Sequence, residues 1–115
     1  MTVSAVMYKI SYGDFMDVHY ELGDLKFVWD SEKAEINLKK HKISFEDGAR
    51  VFLDDYRFEY FDEIHSDDEE RIKIIGFVRN VLTVIYTERK NVNRIISARR
   101  ATKREEEEYF GQFEQ

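Results

Sequence analysis

The segment from Val81 to Glu88 constrains the fold most, because it is an almost unbroken apolar stretch between two turn-like segments. Arg79-Asn80 precedes it, and Lys90 to Asn93 follows it. An apolar run bounded by turns is typical of a central β-strand that is covered on both faces. The segment therefore predicts a sheet with a strand on either side of this one.

Further strands and three helices are predicted around this central strand. Aromatic and β-branched residues indicate the other strands, which are Leu25–Trp29, Arg57–Phe61, Arg71–Val78 and Arg94–Arg99. Side chains that can accept hydrogen bonds from the free amides of a first helical turn indicate the helix starts, which are Asp30, Ser44 and Thr102. The helices are expected to end near Lys40, Leu53 and Phe110.

These elements predict an α+β fold in which two helices pack on an antiparallel sheet and a third helix follows, in the order β-α-α-β-β-β-α. Residues 1–24 are interpreted as an N-terminal extension, in which Val18, Tyr20 and Leu22 alternate as in a strand. A turn at Gly23-Asp24 would make this strand half of a hairpin. The main domain is predicted to span residues 25–110, with a tail at 111–115.

Charge is distributed unevenly along the 115 residues. The net charge is −6, which argues mildly against a nucleic-acid binder. Seven basic residues and one acidic residue nevertheless lie between Glu88 and Arg104, whereas acid is concentrated at Asp62 to Glu70 and Glu105 to Glu108. The local field decides whether phosphate is attracted, so this pattern allows RNA on one surface and a basic partner on another.

Several classes of site and location are disfavoured. The chain has no cysteine, which excludes disulfides and cysteine-based zinc sites. His65 has Asp67 and Asp68 beside it, but no second histidine lies at ligand spacing, so no metal site is predicted. No apolar run reaches the roughly 20 residues that span a bilayer, and no signal peptide is recognised. A cytoplasmic protein without a cofactor is expected.

Three motifs resemble the BrnT family of type II toxins. The first runs from Phe27-x-Trp29-Asp30 through Lys33, Asn37 and Lys40-His41 to Ile43-Ser44-Phe45-Glu46. The second comprises His65-Ser66 and Glu69-Glu70-Arg71, with Gly76 following. The third comprises Thr87-Glu88-Arg89, Arg94 to Arg99, Ala101, Glu105 and Tyr109. The resemblance covers about Leu25 to Tyr109, and the residues before it depart from the family pattern.

The resemblance implies a RelE-like, metal-independent endoribonuclease that inhibits translation. It also implies a small DNA-binding antitoxin, BrnA-like, whose complex with the toxin represses its own operon, so that DNA is contacted only through the complex. The alternative is a non-catalytic binding module, a degenerate toxin that acts only as a co-repressor. A DNA-binding regulator acting alone is disfavoured, since the second helix lacks a basic recognition face.

Cleavage of RNA through its 2′-hydroxyl needs a base, an acid and cations for the phosphorane. Arg89 and Arg99 are predicted to supply the cations, because the guanidinium fork matches two phosphate oxygens. They lie near the ends of strands that we expect to be neighbours, so that one phosphate would reach both. The alternative is that they form salt bridges with Glu88, Glu70 or the acidic loop.

Lys40, His41 and Glu70 are the other predicted catalytic residues. Histidine titrates near neutral pH, although His41 would equally well cap the end of its helix. Lys40 would stabilise the transition state as a point charge, and Glu70 would act as the base if its surroundings tune it.

The remaining predicted site residues contact RNA without taking part in the chemistry. They are Trp29, His65, Arg71, Arg94, Arg100 and Tyr109. Trp29 would stack on a base, but a lone tryptophan more often anchors a core. Tyr109 would either stack on RNA or hold its helix against the sheet.

Overall fold

The structure, a computed structural model, describes residues 3–12, 15–62 and 69–114. It contains seven strands, three α-helices and one short 3₁₀ turn in these ranges. The strands are β1 (Ala5–Tyr12), β2 (Phe15–Leu22), β3 (Leu25–Asp30), β4 (Phe58–Phe61), β5 (Ile72–Val78), β6 (Asn80–Arg89) and β7 (Val92–Arg100). The helices are α1 (Ser31–His41), α2 (Phe45–Arg50), which the 3₁₀ turn Val51–Leu53 continues, and α3 (Lys103–Gly111).

All seven strands form one sheet in the order β1-β2-β3-β7-β6-β5-β4. The α+β class is confirmed, as is a strand from Val81 to Glu88 with neighbours on both sides. The prediction of a purely antiparallel sheet is wrong, because β3 pairs with β7 in parallel. The chain leaves β3, crosses one face of the sheet through α1 and α2, and returns to the centre through strands from the far edge.

The predicted element order is also wrong. Three strands precede the helices and four follow them, whereas the order β-α-α-β-β-β-α, with its possible extra N-terminal strand, has two and three. The four segments predicted as strands after the helices correspond to β4–β7, so that order is one strand short there. The hairpin of β2 and β3 around Gly23-Asp24 is present, and Gly23 has a φ of +62°, which suits glycine in such a turn. The unpredicted strand is β1, which pairs with β2 along its whole length and forms one edge of the sheet.

The helices α1 and α2 cover one face of the sheet, which we call the helical face. The predicted caps are confirmed: Asp30 accepts from the amide of Lys33, and Ser44 accepts from that of Asp47. The main core lies between these helices and the strands, where Trp29 is 2% exposed and packs against Tyr20 and Phe45.

An asparagine, not an aliphatic residue, takes the inward position of α1. Asn37 is buried and bonds the carbonyl and amide of Ala98 and the carbonyl of Ile43. The large apolar residues of this helix, Ile36 and Leu38, are about half exposed. The hydrogen bonds between Asn37 and the backbone of β7 therefore determine which side of α1 faces the sheet.

Among the described residues, only α3 covers the opposite face of the sheet, which we call the open face, and it does so at one end. Tyr109 of this helix packs on Ile75 and Val81 in a small second core. The Tyr109 hydroxyl donates to Asp54 at 2.5 Å, and the same carboxylate oxygen accepts from the free edge amide of Phe77. Asp54 thus ties α3 to the end of the helical segment across the edge of β5. Within the described ranges, none of the helices is long and apolar enough to cross a membrane.

Candidate functional site

A β-bulge in strand β7 places two arginines on the open face. Arg94 lies opposite Thr87 of β6, and Arg99 lies opposite Thr83. The five residues of β6 from Thr83 to Thr87 therefore face six residues of β7, and the register shift occurs where Ile85 and Tyr86 pair with β7. Without the extra residue the two arginines would point to opposite faces, because side chains alternate along a strand.

Arg99 belongs to a closely packed polar cluster under the first turn of α3. Its two terminal nitrogens donate to the two carboxylate oxygens of Glu105 at 2.8 and 3.1 Å. The same carboxylate accepts from the Thr83 hydroxyl at 3.0 Å and lies 3.6 Å from the Lys73 ammonium. Two cations therefore share the carboxylate of Glu105, and the negative charge of Asp62 also acts on Arg99.

The carboxyl of Glu105 remains ionised in this cluster. Burial opposes its ionisation, but hydrogen bonds from Arg99, the Thr102 amide and Thr83 outweigh burial and lower its pKa to about 2. The same ion pair raises the pKa of Arg99. A carboxylate this acidic is a poor proton acceptor near neutral pH, so Glu105 holds Arg99 in place.

A second basic site lies on the open face at the other end of β6 and β7. Arg89 and Arg94 line a pocket of about 280 Å³ together with Thr87 and Val28. Their side chains are 74% and 43% exposed. Arg89 pairs with Glu69, which also lines the pocket, and Arg94 lies 3.3 Å from Asp17 of β2. Each arginine has an acidic neighbour that a phosphate would have to replace.

The prediction that one phosphate reaches both Arg89 and Arg99 is wrong. The strands β6 and β7 are neighbours, as expected, but they are antiparallel, and Arg89 lies at the turn that joins them. Arg99 lies opposite Thr83, six residues back along β6, which is roughly 20 Å away. Arg89 shares its pocket with Arg94 instead. Its pairing with Glu69 matches the alternative of a salt bridge to the acidic loop.

The structure does not bring Lys40 and His41 to either basic site. They end α1, which packs on the helical face through Asn37 and Ala98. Ala98 and Arg99 are adjacent in β7 and point to opposite faces, so the sheet separates α1 from Arg99. Lys40 is exposed and His41 is half-buried. The position of His41 in the last turn agrees with the alternative that it caps the end of its helix.

The two aromatic residues predicted to contact RNA are buried. Trp29 is 2% exposed and Tyr109 is 4% exposed, so neither ring is free to stack on a base. Both predictions of base stacking are wrong for this conformation. The alternatives that Trp29 anchors the core and that Tyr109 holds its helix against the sheet are confirmed.

The other predicted site residues are dispersed. Glu70 lines a pocket of about 300 Å³ with Arg89, Glu69 and Glu88, and this pocket adjoins that of Arg89 and Arg94. Arg71 is half-buried just before β5, where its carbonyl accepts from the amide of Asp62 at 2.8 Å. Arg100 lies at the far end of β7, beside α3. His65 lies outside the described residues, as does most of the acidic segment.

Sequence reasoning missed Lys73 and Tyr60. The Lys73 ammonium lies 5.5 Å from the centre of the Tyr60 ring as well as beside Glu105. Lys73 is the only charged residue within the apolar strand Ile72–Val78, a signal that would have identified it. The described residues contain no group of three or more His, Asp or Glu side chains able to hold a metal ion.

Comparison with known proteins identifies the family. Residues 29–105 match the family model described as "Ribonuclease toxin, BrnT, of type II toxin-antitoxin system". Among solved structures, the chain is similar to the crystal structure of the Brucella abortus ribonuclease toxin BrnT, with a TM-score of 0.52 and 24% identity. That similarity covers 65% of this chain and 94% of the Brucella chain. No curated protein sequence matches. Because the family model covers most of the chain, the protein belongs to the BrnT family of ribonuclease toxins of type II toxin–antitoxin systems.

Proposed function

We propose that the open face of the sheet binds RNA and cleaves it without a metal ion, through attack of a 2′-hydroxyl on the adjacent phosphate. The observation that supports this most directly is the common orientation of Arg89, Arg94 and Arg99 on the face that α1 and α2 leave uncovered. Lys73 adds a fourth cation on the same face. The fold is proposed to be RelE-like, with the catalytic domain at residues 25–110.

The scissile phosphate is proposed to occupy the pocket of Arg89 and Arg94. These are the more exposed arginines of the face, and two guanidinium groups would stabilise the phosphorane as negative charge develops. Glu70 lines the adjoining pocket and is proposed to accept the 2′-hydroxyl proton. The 2′-oxygen forms a bond to phosphorus, the bond to the 5′-oxygen breaks, and the 5′-oxygen takes a proton from water. The products are a 2′,3′-cyclic phosphate and a 5′-hydroxyl.

The cluster of Arg99, Lys73 and Glu105 is proposed to bind a neighbouring phosphate. Arg94 and Arg99 are roughly 14 Å apart along β7, from a rise of about 3.4 Å per residue over four register positions. A strand of RNA extended along β7 would therefore contact both sites at different phosphates. Glu105 keeps the Arg99 side chain in one orientation, which reduces the entropy lost when RNA binds.

The toxin is proposed to be neutralised by a BrnA-like, DNA-binding antitoxin. Membership of a type II toxin family implies an antitoxin, and a segment that covers the open face would block both basic sites at once. DNA would be contacted through the complex only. The measurement is a gel-shift titration of operator DNA. The toxin alone should leave the mobility of the DNA unchanged, and the toxin–antitoxin complex should lower it.

Substitutions on the two faces of the sheet test the proposal. Arg94→Ala should lower the single-turnover rate of RNA cleavage by roughly 10²- to 10³-fold, the usual effect of losing one group that stabilises a transition state. Lys40→Ala is the matched control, because it removes one exposed cation from the helical face. It should leave cleavage and growth inhibition close to wild type. If Lys40→Ala lost most of its cleavage activity and Arg94→Ala cleaved RNA normally, the active site would lie on the helical face and the proposal would be wrong.

A further inference from the structure

An exposed pair of stacked rings lies on the N-terminal hairpin, outside the region that matches the family model. Tyr8 of β1 and His19 of β2 are direct cross-strand partners. Their ring centres are 4.9 Å apart and their planes differ by 3°. Tyr8 is 48% exposed and lies on an edge strand. Packing in the core therefore does not explain an aromatic residue at this position.

The register places this pair in one row with the proposed phosphate pocket. Tyr8 lies opposite His19, His19 opposite Val28, Val28 beside Arg94, and Arg94 opposite Thr87. All five side chains therefore point to the open face. Three strand spacings separate Tyr8 from Arg94, which is roughly 14 Å. A few nucleotides of single-stranded RNA span such a distance.

Two acidic residues near the ring pair each have a basic residue beside them. Asp17 is engaged by Arg94 at 3.3 Å, and Glu21 lies opposite Lys26 in the register. A neutral surface with an aromatic centre does not attract phosphate, but it suits the flat, weakly polar face of a nucleobase. Val6 and Ile10 flank Tyr8 on the same face and are 52% and 36% exposed.

The stacking on His19 fixes the orientation of the Tyr8 ring before any ligand binds. A side chain that is already ordered loses less rotamer entropy on binding. Base–aromatic stacking also tolerates any base, since every base has a π-face. The row thus combines a cationic position for phosphate with an ordered aromatic position for a base.

We infer that Tyr8 and His19 form a base-stacking subsite that extends the RNA-binding face beyond the family domain. The inference rests on the proposed function, because it concerns the same RNA strand. One nucleotide places its phosphate at Arg94, and a base a few nucleotides away stacks on the exposed face of Tyr8. The bound chemistry is single-stranded RNA, and the hairpin contributes affinity without contacting the reacting phosphate.

The test measures binding of a fluorescein-labelled, single-stranded RNA of about 12 nucleotides, long enough to cover both positions. Every 2′-hydroxyl is methylated, so that the RNA is not cleaved, and binding is followed by fluorescence anisotropy. Tyr8→Ala should weaken binding by about 5- to 100-fold, the effect of losing one stacked base. Tyr8→Phe keeps the ring and should bind as wild type does. Circular dichroism checks that each variant is folded.

Met7→Ala is the matched control. Met7 precedes Tyr8 in β1, points to the helical face and is similarly exposed, at 43%, so its loss should leave RNA affinity unchanged. A wild-type protein that binds no RNA, or whose affinity is unaffected by Arg94→Ala, would overturn the proposed function and the subsite together. If Arg94→Ala weakens binding and Tyr8→Ala does not, the subsite alone is wrong. Loss of neutralisation by the antitoxin in Tyr8→Ala, with RNA affinity unchanged, would assign the ring pair to protein binding instead.

Discussion

Glu105→Gln tests the polar cluster under α3, because it removes the charge and keeps the size of the side chain. The Glu105 side chain is 9% exposed and pairs with both Arg99 and Lys73. Its pKa is lowered from 4.5 to about 2, which corresponds to roughly 3 kcal/mol at about 1.4 kcal/mol per pKa unit. The glutamine also removes the carboxylate that Arg99 and Lys73, both partly buried, share. We therefore expect Glu105→Gln to lower the free energy of unfolding by about 3 kcal/mol at pH 7.

The loss should depend on pH in a defined direction. A carboxyl whose pKa is lowered on folding adds stability above its unfolded pKa, and that stability disappears as the pH falls through the folded pKa. The difference between wild type and Glu105→Gln should therefore be constant above about pH 5 and fall to roughly half near pH 3. Urea titrations followed by the fluorescence of Trp29, the sole tryptophan and 2% exposed, measure it at each pH.

Glu106→Gln is the control, since it makes the same change at an exposed position in the same helical turn. Its effect should stay within about 0.5 kcal/mol at every pH, as is usual for surface substitutions. A difference for Glu105→Gln below about 1 kcal/mol at pH 7, or one that does not change between pH 7 and pH 3, would refute the argument that the ionised carboxylate organises the cluster.

Two further substitutions test the packing of the helical face. Asn37→Ala should lower the free energy of unfolding by about 3 kcal/mol, because the amide and carbonyl of Ala98 and a second carbonyl lose their buried partner; an unchanged urea midpoint would contradict this. Gly76→Ala should cost about 1–3 kcal/mol through overpacking, since the new methyl carbon would lie 2.9 Å from Val51. Gly111→Ala is the control, because its new methyl carbon meets nothing within 4 Å, and it should not destabilise the protein. Equal urea midpoints for Gly76→Ala and Gly111→Ala would contradict the overpacking prediction.

Local signals in the sequence predicted most elements. The apolar run at Val81 to Glu88 identified β6, and Asp30, Ser44 and Thr102 marked helix starts that the structure confirms. These features depend on neighbouring residues only, through burial on both faces and through side chains that accept from free amides. Pairing between distant segments was harder. The sequence contains no signal that β3 adds in parallel to β7, because that choice depends on the path of the chain over the sheet.

The residue types of the candidate site could be predicted from the sequence, but the positions of these residues in space could not. The basic segment from Glu88 to Arg104 contains the three arginines that lie on the open face, Arg89, Arg94 and Arg99. The bulge in β7 decides that Arg94 and Arg99 share a face, and a single extra residue leaves no clear trace in a sequence. Asn37 was read as a motif residue without a role, whereas its hydrogen bonds to Ala98 orient α1.

The open face is proposed to cleave RNA through attack of the RNA's own 2′-hydroxyl. The most direct measurement incubates the purified protein in EDTA with an RNA and with the same RNA carrying one 2′-deoxyribose at the cleaved position, followed by mass spectrometry of the ends. We predict that the first RNA yields a 2′,3′-cyclic phosphate and a 5′-hydroxyl, that the second stays intact at that position, and that Arg94→Ala cuts the first RNA roughly 10²- to 10³-fold more slowly than the wild type does. Cleavage of the deoxy-substituted RNA at the same position, or 5′-phosphate ends, would contradict it.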